Sequence, residues 1–151
     1  GEKSRMAFAF GAGLSRYNMH HNGQFDERNG YTHFDKIPDS ISYRSNKFSF
    51  NYIDLPLELR IRKVKGKHNL KFYPGFKAGV LVNNFNKWRT REIKYKLYNM
   101  PNALLYNYGP TLRLAWNKFA IYGFYSLTPF FEEGKGAEIY PVSIGISWIR
   151  F

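Results

Sequence analysis

The dominant pattern along the chain is an alternation of period two. From Met6, the residues Met6, Phe8, Phe10, Ala12 and Leu14 occupy one parity, while Ala7, Ala9, Gly11, Gly13 and Ser15 occupy the other. Successive side chains of a strand point to opposite faces, so the segment predicts a strand with one bulky and one tiny face. A soluble strand sets apolar against charged residues. Large against tiny suits a tightly curved sheet whose concave face has little room.

The alternation recurs five more times. Ile53, Leu55, Leu57, Leu59 and Ile61 share a face opposite Asp54, Glu58, Arg60 and Arg62; a helical period would spread these aliphatics around the whole cylinder. Leu70, Phe72, Phe76, Ala78, Val80 and Val82 oppose Lys71, Tyr73, Gly75, Lys77 and Gly79. Leu104, Tyr106, Tyr108, Leu112, Leu114 and Trp116 oppose Asn107, Gly109, Thr111, Arg113 and Ala115, and the pattern breaks at Asn117-Lys118. Two residues suffice for a hairpin, which makes Trp116 and Phe119 a cross-strand pair. The next strand then sends Phe119, Ile121, Tyr125 and Leu127 to the bulky side, with Phe124 on the cramped one. The last segment sets Tyr140, Val142, Ile144, Ile146 and Trp148 against Ser143, Gly145 and Ser147.

Six strands of roughly 11 to 16 residues exceed the usual length in soluble sheets and reach the span of a tilted membrane strand. Their connections alternate between long (19–46, 84–102), intermediate (131–136) and short (64–68, 117–118). That asymmetry is typical of bacterial outer-membrane barrels. Volume decides which face is outside: a small barrel has no room for Phe8, Phe10, Tyr140, Ile144 and Trp148 together with every other strand's aromatics. The fold class expected is therefore an all-β, antiparallel, up-and-down transmembrane barrel forming a single domain over residues 1–151. Its bulky faces meet hydrocarbon, and its lumen is plugged by small residues and ion pairs. Single-chain bacterial barrels begin at eight strands. Two further strands are expected before Gly1 rather than within 19–46. The long connections are then extracellular and the C-terminus periplasmic.

Composition sharpens this picture at two points. The chain of 151 residues contains no cysteine, and 23 Lys+Arg against 11 Asp+Glu give a net charge of +12. The charge speaks to acidic partners and not to fold. No apolar run approaches the roughly 20 residues of a spanning helix.

Four phrases then carry a resemblance: Asn51-Tyr-Ile-Asp-Leu-Pro-Leu-Glu-Leu-Arg60, Phe72-Tyr-Pro-Gly-Phe-Lys-Ala-Gly79, Tyr122-Gly-Phe-Tyr-Ser-Leu-Thr-Pro129 and Val142-Ser-Ile-Gly-Ile-Ser-Trp-Ile-Arg-Phe151. In order and spacing they resemble the PorT-like outer-membrane β-barrel proteins of Bacteroidetes. The resemblance implies an eight-stranded barrel, with some relatives tied to protein secretion or to larger outer-membrane assemblies. It implies no catalytic residue.

Three groups of candidate residues follow. Asp54, Glu58, Arg60, Arg62, Lys71, Lys77 and Arg113 fall on the cramped face, where the carboxylates must pair with cations from neighbouring strands, since unpaired buried charge costs several kcal/mol. Tyr106, Tyr108, Trp116, Phe119, Tyr140 and Trp148 suit an interfacial aromatic girdle. Lys87, Arg89, Arg91, Lys94 and Lys96, against a single Glu92, suit contact with lipopolysaccharide phosphates or an acidic partner.

The expected partners are outer-membrane lipid, lipopolysaccharide and other outer-membrane proteins, not nucleic acid. No cofactor, metal or catalytic pattern is found. His20 and His21 near Asp26 and Glu27 lack ligand spacing, and Ser15, Ser42, Ser126 and His33 form no nucleophile motif. The expected role is that of a non-enzymatic structural or accessory subunit of an outer-membrane assembly. A lipid-modifying barrel enzyme and a soluble lipocalin-like barrel are the alternatives.

Overall fold

The computed structural model describes residues 6–37, 45–65, 68–89 and 94–148. Its elements are all strands: β1 (Met6–Phe10), β2 (Gly13–His20), β3 (Gly23–Arg28), β4 (Tyr31–Lys36), β5 (Ser45–Lys65), β6 (His68–Arg89), β7 (Lys94–Tyr98), β8 (Tyr106–Trp116), β9 (Phe119–Tyr125) and β10 (Val142–Trp148). Eight of them form one antiparallel sheet in the order β1-β5-β6-β8-β9-β10, with β2 also on β5 and β7 also on β6. β1 and β2 line up end to end along β5, as β7 and β8 do along β6. The eight strands thus occupy six lateral positions.

Proline explains two gaps in the ladders. Gly11 N–H donates to Pro56 O at 3.1 Å, but Pro56 has no N–H to return, and the strand opposite it is split into β1 and β2 without a slip in register. Pro74 falls in the matching gap between the Glu58–Gly75 and Ile61–Phe72 pairs of β5 and β6. Prolines in such strands are expected at bulges or ends. Pro56 and Pro74 depart from that, each leaving one rung of its ladder open. The bulge in the β5–β6 ladder lies elsewhere, at Asn51/Tyr52.

The bulky faces point outward. Leu57 is 59% exposed, Val80 53% and Ile144 82%, while Asp54, Glu58, Lys77, Ala115, Ala120 and Phe124 on the other face are buried. Exposure also separates edge from centre: Phe8 on β1 reaches 90%, whereas among the described residues no outward apolar side chain of β5, β6, β8 or β9 exceeds 61%. β1/β2 and β10 are the lateral edges, and among the described residues neither pairs with the other.

The two long connections are shorter than the sequence pattern suggests. Region 19–46 contains the hairpin β3–β4, turned by Asn29 and Gly30 at φ 54° and 78°, the left-handed pair of a type I′ turn. This hairpin is a separate two-stranded sheet and adds nothing to the barrel wall. Region 84–102 is mostly strand, since β6 runs on to Arg89 and β7 returns along it. The apolar-outside alternation that marks the other strands ends before these segments.

Polarity reverses along three neighbouring strands at one level. On β2, β5 and β6, outward Leu14, Ile53 and Val80 are mutual neighbours. One step up, the outward positions become Arg16, Asn51 and Asn83. Inward positions switch in the opposite sense, from Ser15 and Asp54 to Tyr17, Tyr52 and Phe50, so that a buried core of Phe48, Phe50, Tyr52, Met100, Phe130 and Phe131 fills the upper interior.

Candidate functional site

The lower interior is built around two carboxylates. Asp54 on β5 faces Gly79 on β6, and a Cβ at Gly79 would stand 2.4 Å from Asp54 Oδ1. Only glycine leaves room there. Lys77, one step along β6, spends its three N–H donors on Asp54 Oδ2 at 3.2 Å, Ser15 Oγ at 3.1 Å and Tyr17 Oη at 3.2 Å. The Ser15 hydroxyl in turn donates to Asp54. Phe124 lies beneath the ammonium, its ring centroid 3.9 Å from Nζ, a cation–π contact that accounts for an aromatic on the cramped face.

Glu58 forms the second centre. Arg113 Nη2 on β8 approaches its Oε1 at 2.9 Å, and Arg60 Nε on its own strand approaches Oε2 at 3.5 Å. Each guanidinium also faces an aromatic ring, Arg60 over Tyr73 at 5.6 Å and Arg113 over Tyr122 at 5.5 Å. Of the seven charged residues read from the sequence, Asp54, Glu58, Arg60, Lys77 and Arg113 thus converge. Lys71 sits lower on the inward face, in register with Ala115. The side chain of Arg62 lies outside the described residues. Ser15, Tyr17 and Phe124 complete the site, and none of them carries a charge that would have drawn attention to it.

Above this level the aromatic core takes over. Phe50 stacks on Phe130 with centroids 4.4 Å apart and an interplanar angle of 8°, while Phe48 meets Phe50 edge-on at 4.4 Å. Tyr17 joins the two levels, since its hydroxyl accepts from Lys77 and its ring packs edge-on against Phe130 at 5.6 Å. Segments folding over the mouth are tied down by polar side chains: Met100 N–H donates to Asn84 Oδ1 at 2.5 Å, and Asn102 Nδ2 donates to Gly30 O at 3.0 Å. Beside the ion pairs is a cavity of about 240 Å³ lined by Ser15, Asp54, Glu58, Lys77, Arg113 and Tyr122 among others.

The aromatic residues read from the sequence are all exposed on the outward face: Tyr106, Tyr108 and Tyr140 toward the end with long connections, Trp116, Phe119 and Trp148 around the short turn. Phe119 and Trp148 rings lie edge to face at 4.4 Å. Among the basic residues, Lys87 and Arg89 lie on the outward side of β6 and Lys96 on that of β7. Arg91 and the side chain of Lys94 lie outside the described residues. His20 and His21 point to opposite faces. His21 packs inward on Phe34 and Phe48 at 5.6 and 6.4 Å. Burial pushes its imidazole below the ordinary 6.5, with neighbouring His20 adding to the effect.

An outward apolar wall over an ion-paired interior is the pattern of a lipid-embedded barrel, and over residues 2–132 the sequence matches the family described as outer membrane protein beta-barrel domain. The chain belongs to that family. No curated protein and no solved structure matches it. As an outer-membrane β-barrel domain, it is an integral protein of the bacterial outer membrane, and its exposed Leu, Ile, Val and Phe side chains are solvated by acyl chains.

Proposed function

We propose that this barrel is non-enzymatic and non-conducting, and that it serves as a structural or accessory subunit of a larger outer-membrane assembly through its rim and outer wall. The filled interior carries the reading. Two ion-pair centres occupy the lower interior and an aromatic plug the upper, with a cavity of about 240 Å³ beside the ion pairs. Lys77 has every N–H engaged and a carboxylate beside it, which argues against its acting as a base toward Ser15.

In this reading the end with long connections faces outward and the C-terminus faces the periplasm, the usual arrangement of bacterial barrels. The lateral edges at β1/β2 and β10 need partners, because hydrocarbon offers none. The phrases that resemble PorT-like proteins of Bacteroidetes support a place beside protein-secretion or barrel-assembly machinery.

Two measurements test the proposal. Folded protein inserted in a planar lipid bilayer is expected to show no stepwise conductance, and a stable open channel would refute the plugged interior. Affinity purification from native outer membranes in mild detergent is expected to bring down stoichiometric membrane companions. A barrel that purifies alone in every such detergent is not a subunit.

A further inference from the structure

Above the level where polarity reverses, the outward wall carries cations directly opposite one another. Lys47 on β5 is the register partner of Lys87 on β6, and Lys87 is the partner of Lys96 on β7. His20 on β2 extends the same row beside Lys47. Opposed side chains in a sheet stand about 5 Å apart, and like charges there destabilise the pairing unless an anion lies between them. No carboxylate occurs on the outward positions of these strands among the described residues from Leu14 to His20, Asn46 to Ile53 and Val80 to Arg89. Lys96 is held against the wall, its Nζ 4.4 Å from the Phe85 ring centroid and 4.3 Å from that of Tyr98.

Below the row, on the same part of the wall, lies an apolar groove of about 370 Å³ lined by Ile53, Leu55, Phe76, Ala78, Val80 and Tyr108. Ala78 makes the recess between larger neighbours. Between groove and lysines stands Arg16, whose Nε donates to Asn51 Oδ1 at 2.5 Å while its side chain stays exposed. Lys47 is six residues beyond Ile53, roughly 20 Å along a strand, and about 15 Å in height at the usual barrel tilt.

We infer that this strip, an acyl groove surmounted by Arg16 and then by Lys47, Lys87 and Lys96, is a docking site for lipopolysaccharide of the outer leaflet. A glycerophospholipid has its anionic group within one headgroup depth of the hydrocarbon and reaches Arg16 only. A lipid whose sugar head carries several phosphates and carboxylates spans the full height and meets both tiers. Bidentate and charge-assisted contacts to phosphate are the chemistry expected of such cations. The inference rests on the proposed orientation, with the long connections outside, and is independent of the subunit role.

The test uses the full chain folded in zwitterionic detergent and titrated with purified lipopolysaccharide. Native mass spectrometry and acetylation footprinting on the unmodified protein are expected to show a bound glycolipid and protection of Lys47, Lys87 and Lys96, with Lys118 at the short turn still reactive. The variant K47Q/K87Q/K96Q is expected to bind about tenfold or more weakly. A control variant, K36Q/K118Q/K135Q, is expected to bind like the parent. Chemically dephosphorylated lipopolysaccharide and phosphatidylglycerol are expected to bind weakly to all variants.

Equal protection of Lys118 and the three lysines, equal binding by the two triple variants, or equal binding of phosphatidylglycerol would overturn the site. The footprint needs no variant to fold. Cysteine labelling of whole cells carrying Glu133→Cys reports orientation separately: a position 133 that stays inaccessible refutes the orientation even if lipopolysaccharide binds in detergent.

Discussion

The lower and upper halves of this barrel are built on opposite rules. Below the reversal level, β5 sends Ile53, Leu55 and Leu57 outward and Asp54 and Glu58 inward; above it the same strand sends Lys47 and Asn51 outward and Phe48, Phe50 and Tyr52 inward. The lower half is inverted relative to a soluble protein, and the upper half is not. Solvent is the reason. Where acyl chains surround the wall, apolar side chains lose nothing by facing out, and charges survive only inside, in pairs. Where water surrounds it, burial of aromatic surface again drives packing, at about 25 cal/mol per Å². One continuous strand thus crosses a boundary between two solvents, and its side-chain pattern shifts by one parity at the crossing.

The sharpest way to break the lower half is to remove one partner of a buried pair. Asp54→Ala leaves Lys77 buried beside an empty site and is expected to cost about 3–5 kcal/mol. Urea unfolding of the barrel in lipid vesicles measures this, and adding Lys77→Met is expected to recover most of the loss, since the two residues share one interaction. An unchanged midpoint for Asp54→Ala would show that the pair is not what holds the lower interior.

A smaller change probes the upper half by its own rule. Phe130→Leu removes the ring stacked on Phe50 while keeping an apolar side chain, at an expected cost of about 1–2 kcal/mol. That cost should not vary with salt. A salt-dependent penalty would mean that the aromatic plug is coupled to the charges through Tyr17 rather than packed independently.

The smallest expected effect is a pH dependence confined to the mouth. The imidazole of His21 is held below its ordinary value, so the neutral ring is favoured in the fold. Its contribution is present in full above the ordinary 6.5 and declines as pH falls below that value, because the unfolded chain then takes up the proton first. Amide protection factors in β3–β4, taken against the intrinsic exchange rate at each pH, are expected to fall on acidification, with those of β8 and β9 unaffected. His21→Phe should remove the difference, and protection that still falls in this variant would assign it to another group.

Period-two alternation made the strands and their two faces legible, and the bulk of one face made its outward orientation legible. It placed Asp54, Glu58, Lys77 and Arg113 on the cramped side because parity is a local property of backbone geometry. It was silent on register, and register decides who pairs with whom: Lys77 reaches Asp54 on the diagonal, while Arg113 from β8 reaches Glu58 across β6. The upper interior was not legible at all. Phe48 and Phe50 meet Met100, Phe130 and Phe131, residues about 50 to 80 positions away in sequence, on segments with no alternation to mark a face.

The sequence by itself determined the class of fold, which face meets lipid and the excess of positive charge, because each follows from residue order and composition. Tertiary structure alone decided the level at which polarity reverses, the acceptors around Lys77, the aromatic plug and the alignment of Lys47 with Lys87 and Lys96. Those depend on how far one strand is displaced against the next, a quantity set by ladder hydrogen bonds and by the bulge at Asn51/Tyr52.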